Sequence, residues 1–172
     1  MIELEDLREG LRVKRFHTVD VLREETVGHH SANVCLILMY LYGEGHPRSQ
    51  LLQAAILHDI AEQWTGDLPA MIKWKYPQLK ELMKVVEAAE WELREEGSPT
   101  EKLTNGELLL LQLADSADCG LKCAYEVRMG NTTLGVGVTR IRANMEALYA
   151  EGRHHVGEEF HPRMRELINS IM

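Results

Sequence analysis

Apolar residues recur at spacings of three and four along most of the chain, which is the period of an amphipathic helix. Residues 32–41 are apolar nearly all round except for Asn33, which predicts a central, buried helix. No segment keeps the alternation of a strand. The pattern therefore predicts an all-α protein. One predicted helix carries Leu79, Leu82, Met83, Val86, Ala89 and Leu93 at helical spacing.

Capping residues and glycines indicate where the helices begin and end. Thr26 is suited to cap a helix that runs to Tyr42, and Gly43 and Gly45 follow that helix. Because no repeat, low-complexity tract or linker interrupts the pattern, residues 1–172 are expected to form one domain, a helical bundle. The other predicted elements are a short amphipathic turn within residues 1–14, helices at about 47–59, 78–96, 105–129, 132–150 and 157–171, and a loop at 63–69.

Composition narrows the class of protein. Apolar residues make up 45% of the 172 residues and aromatic ones only 6%, which favours an aliphatic helical bundle. A net charge of −8 argues against an extended electrostatic binding surface for nucleic acid. The first residues do not resemble a signal peptide, and no apolar run reaches the roughly 18 residues of a membrane span. A cytoplasmic protein without a membrane or nucleic-acid partner is expected.

The cysteines agree with a reducing compartment. Cys35, Cys119 and Cys123 lie in apolar runs and form no C-x-x-C motif. They are interpreted as reduced core residues. Cys119 and Cys123 would share a helix face, so a metal pair is the alternative, although core packing is the better explanation.

The first candidate for chemistry is the pair His58-Asp59, which follows a run of apolar residues. Burying such a pair costs several kcal/mol unless something compensates, and a divalent metal ion would do so. Imidazole nitrogen and carboxylate oxygen together suit zinc, cobalt, manganese or iron. A core histidine hydrogen-bonded to its neighbour is the alternative for this pair taken alone.

A second candidate is Asp115, in the middle of the most hydrophobic predicted helix. A carboxylate there is rare unless it is paired or bound to a metal. Asp118 and Lys122 continue a polar line on the same face. An ion pair between Lys122 and Asp118 would explain those two residues but not Asp115.

His30, near the start of the central helix, completes a candidate metal site with these residues. His30, His58, Asp59 and Asp115 would supply four ligands from three helices, leaving positions for water and substrate. The order H…HD…D among helices is the signature of the HD phosphohydrolase superfamily, which the chain resembles. The expected fold is then an HD-type bundle with its metal site between the central helices.

The resemblance extends to the HD-type deoxynucleotide 5'-nucleotidases over about residues 12–148. It is carried by residues 26–31, 57–62, 65–69, 114–115 and 121–123, and by Arg15-Phe16, an arginine-aromatic pair fifteen residues before the metal histidine. The chain is also similar to short phage members that include dATP triphosphohydrolases; membership of that branch would place it in a host cytoplasm. The residue before the metal histidine is commonly acidic in the nucleotidases but is His29 here, and the family register favours His30 as the ligand.

Roles for other residues follow. Glu62 lies four residues past His58, about 40° round the same helix, where it could orient or deprotonate a water. By resemblance, Asp67 is an acid/base candidate for the leaving 5'-oxygen. Arg15 and Lys73 should meet phosphate oxygens, with Lys122 and Lys75 as second choices, while Phe16 packs on sugar or base and Thr18 lines the base pocket.

Each role has a structural alternative. Glu62 could be an ordinary charge at a helix end, and Asp67 only a helix cap. Lys73 could belong to a solvated face, which is the better explanation for Lys75, and Phe16 could be plain core.

The resemblance implies a divalent metal cofactor (zinc, cobalt, manganese or magnesium), a small deoxynucleotide substrate and a homo-oligomer. The expected reaction is hydrolysis of dATP to deoxyadenosine and triphosphate. A deoxynucleoside 5'-monophosphatase is the alternative, because both reactions attack the phosphorus next to the 5'-oxygen. A non-catalytic nucleotide-binding module ranks lower, since Glu62 and Asp67 are both present.

Overall fold

The computed structural model describes residues 3–93 and 97–172, and helices dominate them. The all-α prediction is confirmed. The helices are α1 (Leu4–Gly10), α2 (Val27–Tyr42), α3 (Ser49–Leu57), α4 (Glu62–Thr65), α5 (Ala70–Lys75), α6 (Pro77–Leu93), α7 (Asn105–Arg128), α8 (Gly135–Gly152) and α9 (His161–Ser170). Short 3₁₀ turns occupy Thr132–Leu134, Arg153–His155 and Glu158–Phe160.

The core lies where α2, α3, α7, α8 and α9 pack together, with α7 against both α2 and α8. Each fully buried aliphatic side chain contributes about 1.5–3 kcal/mol to folding. Because α2 and α7 pack directly, polar side chains on their facing sides must find partners within the core. The fully buried core includes Val34, Leu38, Leu51, Leu113, Met145, Met164 and Ile168.

The helix α2 is buried on one face only. Leu36, Met39 and Tyr40 are 62%, 47% and 40% exposed. The prediction that this helix is buried all round is therefore wrong, because the neighbouring helices cover only the face that carries His30 and Val34.

The predicted ends of α2 agree with the structure. Thr26 Oγ1 accepts a hydrogen bond from the backbone N–H of His29 at 3.4 Å, as expected of an N-cap. Gly43 follows the helix with φ of 62°, a left-handed conformation that favours glycine. Thr104 caps α7 in the same way as Thr26 caps α2.

Two local features differ from the sequence-based expectation. Two-residue strands, β1 (Lys14–Arg15) and β2 (Glu25–Thr26), pair antiparallel; they are too short to leave an alternating pattern. The predicted loop at 63–69 begins instead within the single helical turn α4, and the chain leaves that turn at Gly66, whose φ is 73°.

The remaining boundaries lie close to their predictions. The helix α3 ends at Leu57, so that His58 and Asp59 lie in the turn that follows it. The last predicted residues of the helix 78–96, residues 94–96, lie outside the described part of the chain. Within the described residues, no helix combines the length and apolarity needed to cross a membrane.

Candidate metal centre and substrate cleft

Two imidazoles from different elements meet between α2 and the end of α3. His30 is fully buried, the His58 side chain is 12% exposed, and their ring centroids lie 5.3 Å apart. Nδ1 of His30 lies 2.6 Å from Oδ2 of Asp118, and Nδ1 of His58 lies 2.9 Å from the carbonyl oxygen of Ala55. With Nδ1 donating in both rings, Nε2 is the atom left to bind a cation, and neither Nε2 atom has a hydrogen-bond partner.

Two carboxylates approach these free nitrogens. Nε2 of His30 lies 3.1 Å from Oδ1 of Asp115 and 3.5 Å from Oδ2 of Asp59, and Nε2 of His58 lies 3.5 Å from the same Asp59 oxygen. Ligand atoms of His30, His58 and Asp115 all lie within 4.8 Å of one another. These three ligand atoms therefore surround one point, and the carboxylate of Asp59 lies 3.5 Å from both imidazoles.

The electrostatics of this cluster favour positive charge. Burial alone lowers the pKa of His30, but the nearby carboxylates of Asp115 and Asp118 raise it to about 10. Burial opposes ionisation of Asp59 and Asp115, yet the neighbouring histidines and Arg15 hold the pKa of both carboxyls below the usual value. A divalent cation would supply the same positive charge in place of a proton on His30.

The donor set fits a divalent metal ion. Two imidazole nitrogens with two carboxylate oxygens suit zinc, cobalt or manganese, whereas magnesium prefers oxygen ligands. The orphaned Nε2 atoms of His30 and His58 are the observation that carries this fit, since buried polar atoms are rarely left without a partner.

Sequence reasoning missed the partner of His30. Asp118 is buried and accepts the Nδ1 hydrogen bond of that ring, which fixes its tautomer and orientation. The available signal was the polar line from Asp115 to Lys122, but the Lys122–Asp118 ion pair that it indicated does not form. Lys122 instead lies 2.9 Å from Oε1 of Glu126.

A cleft of about 460 Å³ opens beside the cluster. It brings together most of the residues predicted to act on a substrate, and it adds Lys80 from α6. Sequence reasoning did not select Lys80, because the pattern it found in α6 was an apolar stripe. The predicted residues that line it are Arg15, Phe16, Thr18, Asp59, Glu62, Asp67, Lys73 and Asp115.

Glu62 lines this cleft. The residue is 4% exposed, its Oε2 atom has no hydrogen-bond partner, and its Oε1 atom lies 3.9 Å from Nζ of Lys73. Burial and the negative charges of Asp59 and Asp67 raise the pKa of Glu62 to about 9. A carboxyl with a raised pKa in a cleft is suited to accept and return a proton.

Arg15 and Phe16 enter the cleft from the end of β1. Nη1 of Arg15 donates a hydrogen bond to Oδ2 of Asp59 at 2.9 Å. Phe16 follows with φ of 56°, an unusual conformation for a bulky residue. This turn allows both side chains to face the same cleft although they are neighbours in sequence.

Lys122 does not reach the cleft, which corrects its assignment as a substrate-binding residue. Its ammonium group donates to Glu126 and, at 2.6 Å, to the carbonyl oxygen of Arg23, and its side chain is 9% exposed. These contacts tie the segment before β2 to α7, so the role of Lys122 is structural.

His29 and Lys75 also lie outside the candidate site. His29 hydrogen-bonds Thr26 at the start of α2 and lies outside the cluster, so the family register that selected His30 agrees with the geometry. Lys75 lies over the ring of Tyr76, 5.3 Å from its centroid, and does not line the cleft.

A helical bundle with a His/His/Asp/Asp cluster beside an acidic and basic cleft defines a metal-dependent hydrolase of the HD type. The family described as 5'-deoxynucleotidase YfbR-like matches residues 6–164, and the chain belongs to this family.

The chain is similar in sequence to curated proteins and in fold to solved structures. The 5'-deoxynucleotidase YfbR of Escherichia coli (strain ATCC 8739) is 25% identical over 178 residues, which cover 92% of this chain and 89% of that protein. The cyanophage S-2L HD phosphohydrolase DatZ, solved with dA and one catalytic Zn²⁺ ion, has a similar fold, with a TM-score of 0.67, 19% identity and coverage of 98% and 95%. The PH0347 protein of Pyrococcus horikoshii OT3 is similar with a TM-score of 0.68, 21% identity and coverage of 98% of each chain.

Proposed function

We propose that the protein hydrolyses a deoxynucleotide at the phosphorus next to the 5'-oxygen, with dATP as substrate and deoxyadenosine and triphosphate as products. The supporting observation is that one cleft joins the His/Asp cluster to the cationic side chains of Arg15, Lys73 and Lys80. A polyphosphate needs such a row of cations beside the reacting phosphorus. The dA bound in the cyanophage neighbour supports an adenine nucleotide.

His30, His58, Asp59 and Asp115 would hold the cation. When bound, a divalent cation polarises a phosphoryl oxygen and lowers the pKa of water, so that hydroxide is available near neutral pH. The protein contributes the fixed orientation of both imidazoles through their Nδ1 hydrogen bonds.

Glu62 acts on the attacking water. Its buried carboxyl has an unpartnered Oε2 atom and faces the cleft, so it can take a proton as the oxygen attacks phosphorus. The raised pKa of Glu62 keeps its carboxyl protonated near neutral pH in the metal-free protein. The ammonium of Lys73 at 3.9 Å lowers this pKa, and a divalent cation in the neighbouring cluster would lower it further, which favours the ionised form that accepts the proton.

Asp67 serves the leaving group. It lies on the cleft wall just after Gly66 and can deliver a proton to the departing 5'-oxygen. Arg15 and Lys73 bind phosphoryl oxygens, and Phe16 packs on the sugar or base with Thr18 beside it.

A deoxynucleoside 5'-monophosphatase is the second candidate. It is favoured by the family to which the chain belongs and by the name of its curated relatives. The metal cluster suits both reactions, and only the groups beyond the first phosphate separate them.

The products decide between the two functions. Protein loaded with Co²⁺ or Mn²⁺ is incubated with dATP and, separately, with dAMP, and the inorganic products are separated by ion chromatography. Inorganic triphosphate from dATP is the expected result. Orthophosphate from dAMP with no product from dATP would instead establish the monophosphatase.

Lys80 provides a test of the polyphosphate end of the cleft. We expect Lys80→Ala to lower kcat/KM for dATP by about 10-fold because a charge-assisted contact to phosphate is lost. Lys84→Ala is the matched control, since Lys84 lies one turn further along α6, outside the cleft, and pairs with Glu81. Equal kcat/KM values for wild type and Lys80→Ala would remove Lys80 from the substrate site.

A further inference from the structure

The β1–β2 ladder places two charged residues opposite each other. Its register pairs Arg15 with Glu25 and Lys14 with Thr26. Lys14 and Glu24 form an ion pair on the solvent side at 2.9 Å, with side chains 62% and 76% exposed. The inner pair differs, because the side chains of Arg15 and Glu25 are only 10% and 8% exposed.

The guanidinium of Arg15 lies between two carboxylates. Its Nε atom is 3.3 Å from Oε1 of Glu25, and its Nη1 atom is 2.9 Å from Oδ2 of Asp59. Glu25 thus contacts one edge of the guanidinium group and Asp59 another. The planar fork of arginine has five N–H donors, so further donors remain for a ligand in the cleft.

Packing of the fold alone does not explain why Glu25 is buried. Burying a carboxylate costs several kcal/mol, and its Oε1 atom makes no well-aligned hydrogen bond. Glu25 does not line the substrate cleft, so it cannot touch a substrate there directly. It approaches the site in two places: its Oε1 atom lies 3.3 Å from Nε of Arg15, and one of its oxygens lies within 4.8 Å of ligand atoms of His30 and Asp118. Of these neighbours, Arg15 is the one that lines the cleft.

We infer that Glu25 is a positioning residue, which holds the Arg15 guanidinium so that its free donors meet a phosphoryl group in the cleft. Without Glu25, Arg15 has Asp59 as its remaining carboxylate contact and turns toward that predicted metal ligand. The inference rests on the proposed function in one respect, namely that the ligand of Arg15 is a phosphoryl oxygen.

Phosphate binding tests the inference without depending on turnover. Binding of inorganic orthophosphate and of inorganic triphosphate to the Mn²⁺-loaded protein is measured by calorimetry for wild type, Glu25→Gln and Glu24→Gln. We expect Glu25→Gln to weaken binding by about 10-fold, because Arg15 is no longer held. Glu24→Gln, which removes the exposed partner of Lys14 just before β2, should bind as wild type does.

A double variant separates positioning from general damage. In an Arg15→Ala background, Glu25→Gln should cause no additional loss of phosphate affinity, because the residue through which Glu25 acts is absent. The Mn²⁺ content should stay at the wild-type value. Equal phosphate affinity for Glu25→Gln and wild type would overturn the inference, and so would an undiminished effect in the Arg15→Ala background.

Two further measurements cover a variant that does not fold and a failure of the proposed function. If Glu25→Gln does not fold, Glu25→Asp retains the charge on a shorter side chain; its phosphate affinity should fall, whereas wild-type affinity would overturn the inference. Wild-type protein that binds phosphate through Arg15 but hydrolyses no deoxynucleotide would refute the proposed function while still testing Glu25. Wild-type protein that binds neither phosphate would refute the inference itself.

Discussion

At the scale of single residues, isolated polar groups in apolar surroundings were the strongest signals. Asp115 and the His58-Asp59 pair could be selected because a charge within an apolar run is expected to need a partner, and the structure brings both to His30. The Asp115 side chain itself is 45% exposed, because this part of α7 borders the cleft. Their role as metal ligands stays a prediction. Asp118 could not be assigned from sequence, since Lys122 four residues later offered a competing local partner, and only the packing of α7 on α2 reveals His30.

The hydrogen bond between Asp118 and His30 should control metal affinity. We expect Asp118→Asn to lower the affinity for Zn²⁺ or Mn²⁺ by about 10–100-fold, because the charged acceptor that orients the imidazole is lost. Metal titration in competition with a chromogenic chelator measures the change. Gln112→Ala, at an exposed position of the same helix, is the control, and an unchanged affinity in Asp118→Asn would exclude the role.

Phe16 allows backbone strain to be separated from ring contacts. Both Phe16→Ala and Phe16→Gly remove the ring and should raise KM to a similar extent. Glycine accepts the φ of 56° without penalty, so Phe16→Gly should be more stable than Phe16→Ala by about 1 kcal/mol. Urea unfolding compares the two, and a less stable glycine variant would show that the left-handed turn carries no strain.

At the scale of elements, helix ends were predictable where a specific residue dictates them. Thr26, Thr104 and Gly43 mark boundaries in the structure because capping and left-handed backbone require particular chemistry. The β1–β2 ladder and α4 were not predictable, because two residues or one helical turn leave no periodic pattern. Yet these short elements carry Arg15 and Glu62, which line the cleft.

The segment between the strands is held by a buried carboxylate. Glu126 of α7 accepts hydrogen bonds from the backbone N–H of Leu22 at 2.8 Å, from Lys122 at 2.9 Å and from Asn131 at 3.1 Å. Burial alone would raise the pKa of Glu126, but these donors lower it to about 2. Because the folded-state pKa lies below the ordinary value of 4.5, this stabilisation is complete above about pH 4.5 and is lost as the pH falls toward 2.

A substitution at Glu126 should show this pH dependence. Glu126→Gln is expected to lower the free energy of unfolding at pH 7 by about 1.5–3 kcal/mol, through loss of charged hydrogen bonds. The difference from wild type should shrink below pH 4.5, where wild-type Glu126 begins to lose its own advantage. Urea unfolding at several pH values measures it, and a difference that is constant with pH would contradict the assignment.

At the scale of the whole molecule, the architecture could be predicted from the sequence more fully than the substrate could. The helical period was enough to predict an all-α protein, because it is set by local geometry. The HD type was predicted from the resemblance of the H…HD…D order to that superfamily. In the proposed function, substrate choice depends instead on which side chains of α5 and α6 line the cleft, and Lys73 and Lys80 do so. The single domain and the homo-oligomer remain predictions.

The central claim is that four residues from separate elements bind one divalent cation. The most direct measurement is an anomalous difference map from crystals grown with Zn²⁺. We predict a peak about 2.0–2.1 Å from Nε2 of both His30 and His58, with oxygens of Asp59 and Asp115 at about 2.0–2.2 Å. A map in which the zinc peak lies elsewhere, or in which no peak lies between these imidazoles, would contradict the account.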